Sequence, residues 1–207
     1  NEYIKNGALG DVVMAQIDYS RNYTSDFWTG PRDFEAQPGV NLDWKAWLGQ
    51  APKRPWDPDR YFRWRRYWDY SGGISTDLLV HQTDITNFVC GQTVPSSCVA
   101  SGGIYRWRGP GDDREVPDTY ATMIEYPNFY IEMSGSMANA AMGQYHRQAI
   151  YGHKGTLVVE RNQVLVYPEV FPELRGRGQR ASMARPALVS ALSRCSASPC
   201  RAFVVRT

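Results

Sequence analysis

At 207 residues, with 43% apolar and 13% aromatic side chains, the chain can bury a sizeable core as one large domain or two small ones. No apolar run nears the roughly 20 residues that span a bilayer, and the opening Asn1-Glu2-Tyr3-Ile4-Lys5 has neither an initiator Met nor a signal-peptide profile, so the chain reads as a piece of something longer with no membrane partner. The net charge of +2 is uneven: residues 172–207 hold seven Arg and one Glu, a local +6 that leaves −4 for the rest, and that body lacks the clustered cations of a nucleic-acid binder.

After Gly7 and Gly10, Asp11–Ser20 alternates Val13, Ala15, Ile17 and Tyr19 against Val12, Met14, Gln16 and Asp18, the period of a strand. Residues 21–71 then carry eight prolines and glycines around a helical island at Trp44–Leu48. So long an irregular stretch in a compact domain is a functional loop or one ordered by a partner. A helix follows from about Ser75 to Cys90, with Ser75 as its N-cap and Gly91 as its stop.

The remainder reads as sheet: Cys98–Trp107, Thr119–Tyr126, Phe129–Met137, His146–Tyr151, Thr156–Glu160 and Val164–Tyr167, separated by turn signals such as Pro127-Asn128 and Gly152-His153-Lys154-Gly155. Short turns between consecutive strands mean antiparallel pairing. The expected fold is therefore α+β, an open, mostly antiparallel sheet with one face covered by helix 75–90 and the other solvated or set against another subunit. Residues 1–170 form the expected domain. Residues 171–207, rich in Arg, Ser and Ala with a weak helical pattern at 186–192, read as a poorly ordered tail.

The four cysteines, Cys90, Cys98, Cys195 and Cys200, show no CxxC pair and no His at zinc-finger spacing. Buried free thiols fit them better than a Cys90–Cys98 disulfide. Neither a phosphate-binding P-loop nor a GxSxG elbow is present, and the glycines at 102–103 and 109–111 precede no helix, which excludes a Rossmann-type dinucleotide site within these residues.

Asp77, His81 and Asp84 carry the most specific chemical signal. At about 100° per residue they fall within roughly 60° of one another, and Leu78, Ile85 and Val89 form an adjoining apolar stripe, so the helix has a chemical face beside a core face. A histidine is the simplest general base near neutral pH, and an Asp one turn earlier can orient its ring and favour the imidazolium. An isolated Asp–His pair at this spacing is commonly just a solvated pair worth a few tenths of a kcal/mol; the glycines Gly72-Gly73 just before it, Asp84 on the same face and the upstream aromatic and basic segment favour a site.

That segment, Asp57–Tyr70, reads in the main as rings packed on the sheet and arginines paired with Asp57, Asp59 and Asp69. Arg63 and Trp64 are its candidate pocket residues. A metal on Asp77, His81 and Asp84 lacks supporting ligands, since His146 and His153 are distant in sequence and read as structural or solvated.

Four blocks together resemble the C-terminal domain of the glucose-fructose oxidoreductase, inositol dehydrogenase and related (Gfo/Idh/MocA) family. They are Gly7-Ala8-Leu9-Gly10-Asp11-Val12; Asp43-Trp44-Lys45-Ala46-Trp47-Leu48-Gly49 with Ala51-Pro52-Lys53-Arg54-Pro55; Tyr61–Gly91 with its glycine pair and Asp-x-x-x-His-x-x-Asp helix; and Gly152-His153-Lys154-Gly155-Thr156-Leu157. The resemblance implies an open-sheet domain that supplies the substrate site and joins subunits into a homo-oligomer, while an absent N-terminal Rossmann domain binds NAD or NADP and contributes a lysine. It further implies that His81 takes the proton from a sugar or polyol hydroxyl and that Asp77 orients it. Beside them, Arg63, Trp64, Gly73 and Asp84 are the expected substrate-binding residues. Two other readings stay open: a non-catalytic sheet domain for assembly or carbohydrate binding, and NAD-dependent glycoside cleavage.

Overall fold

The computed structural model describes residues 2–23, 30–140, 148–160, 163–169 and 187–191, the last five through their backbone. The described strands form one eight-stranded sheet in the order β2-β3-β4-β1-β5-β6-β7-β8. They are β1 (Val12–Ser20), β2 (Ser97–Gly103), β3 (Thr119–Glu125), β4 (Tyr130–Ser136), β5 (Gln148–Gly152), β6 (Gly155–Val159), β7 (Gln163–Pro168) and β8 (Ala187–Ala191). Neighbours pair antiparallel except β1 and β4, which run parallel from Met14↔Tyr130 to Ser20↔Ser136. A parallel neighbour needs a long crossover rather than a tight turn. Here the irregular segment and the main helix lie between the two strands.

Alternation in β1 sets the two faces of the sheet. Ala15, Ile17 and Tyr19 are buried, and through the ladder they align with Ile131, Met133 and Gly135 of β4 and, on the other side, Ile17 and Ala15 with Gln148 and Ile150 of β5. This face continues to Leu157 and Val166, packs beneath Ile74 and Leu79, and forms the main core. Polar ties fix the helix on it: Gln148 Nε2 donates to Thr86 Oγ1 at 2.9 Å and to the Gln82 carbonyl at 3.3 Å, and the Tyr126 hydroxyl donates to Asn87 Oδ1 at 2.6 Å.

The opposite face is open, with Val99 and Met123 standing exposed near its β2 edge.

The covering helix is not uniform. Ser75–Leu79 forms a π-helical turn that passes into α-helix Val80–Cys90. Gly91 ends it in the left-handed conformation at φ 70°, where lack of a Cβ removes the steric penalty. Ser75 is not the N-cap: it lies inside the π turn, and its hydroxyl donates to the Gly72 carbonyl at 2.9 Å. Ile85 is also not part of the core stripe. It is half-exposed, whereas Leu78 and Val89 pack against the core and Leu79 and Thr86 are fully buried, because the extra residue of the π turn rotates the first positions relative to the α-helix.

The loop region is more structured than its prolines suggest. Asp43 caps helix Trp44–Leu48 by accepting from Ala46 N at 2.9 Å, and Asp57 caps a second short helix, Pro58–Phe62, by accepting from Asp59 N and Arg60 N, with Pro58 at its first turn. Between them the rings pack mainly on one another: Trp44 stacks on Trp47 at 5.0 Å, and Trp47 meets Tyr61 and Tyr70 at 5.2 and 4.8 Å. Arginines pair with Asp59 and Asp69 as expected, and Arg60 reaches Glu115 at 3.1 Å as well.

The expected strand 98–107 ends early, at Gly103. The fully buried Asp118 carboxylate accepts backbone N–H groups of Tyr105, Arg106 and Trp107 at 3.0, 2.8 and 3.3 Å, which draws the chain out of the ladder.

In the tail, residues 187–191 form edge strand β8 on β7, a correction to the helical pattern at 186–192. The rest of residues 171–207, with Cys195 and Cys200, lies outside the described residues. Cys90 and Cys98 are free thiols: Cys90 is half-buried, with burial pushing its pKa up to about 11, and Cys98 is exposed.

Candidate active site

Two glycines set the entry to the helix. Gly73 is buried at φ 69°, and a Cβ there would lie 3.4 Å from the Val116 side chain. A Cβ on Gly72 would come within 2.5 Å of Thr76 Cγ2, whose hydroxyl accepts from Gly72 N at 3.0 Å. The pair thus answers to backbone conformation and to Thr76 and Val116; the close approach to a ligand expected of Gly73 is not open in this arrangement.

The π turn puts Asp77 immediately before the α-helix that carries His81 and Asp84. Single π turns interrupting α-helices recur at functional sites, where the widened ring re-aims side chains. His81 and Asp84 are exposed, on a face shared with the exposed apolar residues Val80, Ile85 and Phe88. Among the described residues nothing hydrogen-bonds the His81 imidazole. A groove of about 350 Å³ at the start of the helix is lined by Trp68, Gly72, Ile74, Ser75 and Tyr120; it runs under the helix and away from His81.

Asp77 takes a partner that its spacing does not suggest. Its carboxylate accepts from Arg65 Nε, and the Arg65 guanidinium lies 4.1 Å over the Trp64 ring, a cation–π geometry. Trp64 and Arg65 belong to the 3-10 turn Trp64–Arg66. Arg63, just before it, is turned to Asp59 at 3.6 Å. The structure thus brings Trp64 and Asp77 together through Arg65, a residue sequence reasoning passed over, and no described contact joins His81 to them. The Arg65–Asp77 contact spans 12 residues and depends on how the loop folds back, so no local spacing announces it.

His153 is structural, as expected. Its Nδ1 accepts from Asp11 N at 2.8 Å, joining the first and last of the four resembling blocks. His146 lies outside the described residues. No group of three metal-ligating side chains occurs among the described residues, and no described helix is long and apolar enough to cross a membrane.

Residues 50–185 match the family described as the oxidoreductase family, C-terminal alpha/beta domain. Among solved structures, the fold is similar to levoglucosan dehydrogenase in complex with NADH and L-sorbose (TM-score 0.56, 16% identity, 93% of this chain and 42% of that one). It is also similar to an oxidoreductase domain protein from Kribbella flavida (0.55, 16%, 92% and 42%) and to an inositol dehydrogenase homolog from Azotobacter vinelandii complexed with NADH and myo-inositol (0.53, 13%, 91% and 38%). The chain spans about two fifths of the length of these proteins. No curated protein matches it in sequence. The family match contains the whole π turn and helix with Asp77, His81 and Asp84, and it continues past residue 170 to 185. This chain belongs to the Gfo/Idh/MocA oxidoreductase family, and it corresponds to that family's C-terminal alpha/beta domain.

Proposed function

We propose that this chain is the substrate-binding half of an NAD(P)-dependent oxidoreductase that acts on the CH–OH group of a sugar or polyol. The observation that supports it most directly is the exposed helix face on which His81 and Asp84 stand among Val80, Ile85 and Phe88 directly after the π turn holding Asp77. An exposed apolar rim around a titratable group suits a face that closes against a second domain.

The described residues fit one part of the cofactor. The apolar rim suits a flat nicotinamide ring, whereas no glycine-rich loop at a helix start offers a cradle for the pyrophosphate, so that end belongs to another domain. Bound there, the ring would supply the acceptor for the hydride that leaves the substrate carbon. His81 takes the hydroxyl proton on its unprotonated ring nitrogen as the C–O bond becomes a carbonyl. Asp77 favours the resulting imidazolium, and Asp84, Trp64 and Arg63 contact the remaining hydroxyls. By itself the chain holds substrate without turning it over. The open face of the sheet joins subunits into a homo-oligomer in this reading.

The test is to supply the cofactor domain, replace His81→Ala and measure turnover on sugars and polyols. Loss of a positioned base lowers the rate by about 10²–10⁴-fold. An unchanged rate removes His81 from the mechanism.

A further inference from the structure

Residues 32–43 form an ordered loop that holds apolar side chains out of the fold. Inside it, Gln37 N donates to Asn41 Oδ1 at 2.8 Å, Asn41 Nδ2 to the Glu35 carbonyl at 2.9 Å and Gly39 N to the Leu42 carbonyl at 2.8 Å. Both ends are anchored: Arg32 Nε donates to Asp59 Oδ1 at 2.6 Å, and Asp43 caps the helix Trp44–Leu48. Phe34 and Val40 nevertheless stand 88% and 79% exposed. A lone exposed apolar residue needs no explanation, but here two share one fixed loop, and the same chain offers a recess and charges that match them.

The recess is the groove at the start of the covering helix. Trp68, Ile74, Pro117, Ile124 and Met133 wall a volume of about 350 Å³, enough for a phenyl ring. Loop and groove lie on one flank. Asp59, which holds Arg32, is followed by Arg60, whose guanidinium reaches Glu115 at 3.1 Å, and Glu115 Oε2 accepts from Trp68 N at 2.9 Å. A protrusion beside a recess is what a two-fold axis requires to make the same contact twice.

Charge agrees with shape. Asp33 and Glu35 bracket Phe34, and both are exposed without an ion-pair partner among the described residues. Arg106 and Arg108 are exposed too, with no carboxylate partner among the described residues. They follow β2 just beyond Ser101 and Gly102 of the groove, and Asp118, next to the groove's Pro117, accepts from Arg106 N at 2.8 Å.

We propose that this flank joins two copies of the chain: Phe34 of each copy enters the groove of the other, and Asp33 and Glu35 meet Arg106 and Arg108. The contact is separate from the open sheet face and independent of the function proposed above. An aromatic anchor in an apolar groove with a charged rim has the make-up of a binding hot spot. Two loop tips make a small interface, however, and small interfaces associate weakly. The copies are therefore apart at the dilution of routine light scattering and pair at higher concentration.

The experiment is sedimentation equilibrium of the 207-residue chain carrying Val99→Asp and Met123→Lys, so that the sheet face contributes nothing. The mass rises from one chain towards two between about 10 μM and about 1 mM. Phe34→Ser weakens the association about 30-fold and leaves the unfolding midpoint unchanged, since the ring is exposed. Glu35→Arg and Arg106→Glu each weaken it, because like charges then face one another at both contacts. An equimolar mixture of these two variants restores it, since each contact of the mixed pair again joins opposite charges, which a misfolded variant could not do. A mass of one chain across the whole range would overturn the proposal, and so would a rise that ignores Phe34→Ser or a mixture that associates no better than its components.

Discussion

The ring of His153 fills the space a side chain at Gly10 would occupy: a Cβ built there would lie 2.5 Å from Cε1, at a residue whose φ is 66°. Around this contact the backbone closes, with His153 N donating to the Asp11 carbonyl at 3.1 Å and Lys154 N to the Leu9 carbonyl at 2.9 Å. Gly152 is tighter still, since its Cβ would come 2.1 Å from the Leu9 carbonyl oxygen. Gly10→Ala is expected to cost about 3 kcal/mol from left-handed backbone strain and the clash with the ring. Urea denaturation measures it. Gly152→Ala meets backbone that no rotamer can clear and loses more.

Asp112 supplies a pH dependence. Burial raises its pKa, but bidentate hydrogen bonds from Arg114, at 2.9 and 2.6 Å, and the charges of Arg114 and Arg66 outweigh that and leave it lowered from 3.8. A carboxylate with a lower pKa folded than unfolded stabilises the fold above the unfolded value, and that contribution disappears as pH falls through the folded value. Because the Arg114 side chain is 1% exposed, Asp112→Asn removes the carboxylate paired with a buried charge and costs about 3 kcal/mol at pH 7. The difference from the native chain narrows as pH is lowered below 3.8, read by urea unfolding at pH 7 and pH 3.

Phe88, 72% exposed, and Ile85, 49% exposed, should be dispensable to the isolated chain. Phe88→Ser and Ile85→Ser are expected to leave its stability within about 0.5 kcal/mol. In the enzyme rejoined to a cofactor domain, the same changes weaken the closure of the two halves. KM for the nicotinamide cofactor measures this, and an unchanged KM would place the domain contact elsewhere.

Val99 and Met123 are neighbours across β2 and β3 on the open face. If that face joins subunits, light scattering of the native chain gives a multiple of the single-chain mass, and Val99→Asp with Met123→Lys returns it to one chain. A native mass equal to one chain would count against assembly through the sheet.

What could be read from residue order divides along physical lines. The alternation in β1 was legible because one buried face imposes a period of two. The stop at Gly91 was legible because a C-cap acts within a single turn. Sheet order was not: nothing local in Val12–Ser20 says that its neighbours will be β4 and β5 rather than the next strand along. Ala187–Ala191 holds the helix formers Ala187, Leu188 and Ala191, yet ladder bonds to β7 outweigh that weak preference. The π turn adds one residue that no hydrophobic period records, which is why Ile85 was misplaced. At the candidate site, Asp77 and His81 could be set together from residue order because they lie four residues apart, whereas Arg65 escaped because it reaches Asp77 from a separate turn.

The central place of β1 has a kinetic side. Within the sheet, the meanders β2-β3-β4 and β5-β6-β7-β8 meet through β1, and its contact to β4 closes a span of 116 residues, as between Asp18 and Ser134. Contacts so distant along the chain form slowly. During synthesis this apolar strand must wait, unpaired and prone to stray association, until β4 and β5 have both emerged. Substitutions that weaken β1 are therefore felt first in the yield of correctly assembled protein, before any loss is seen in the finished molecule.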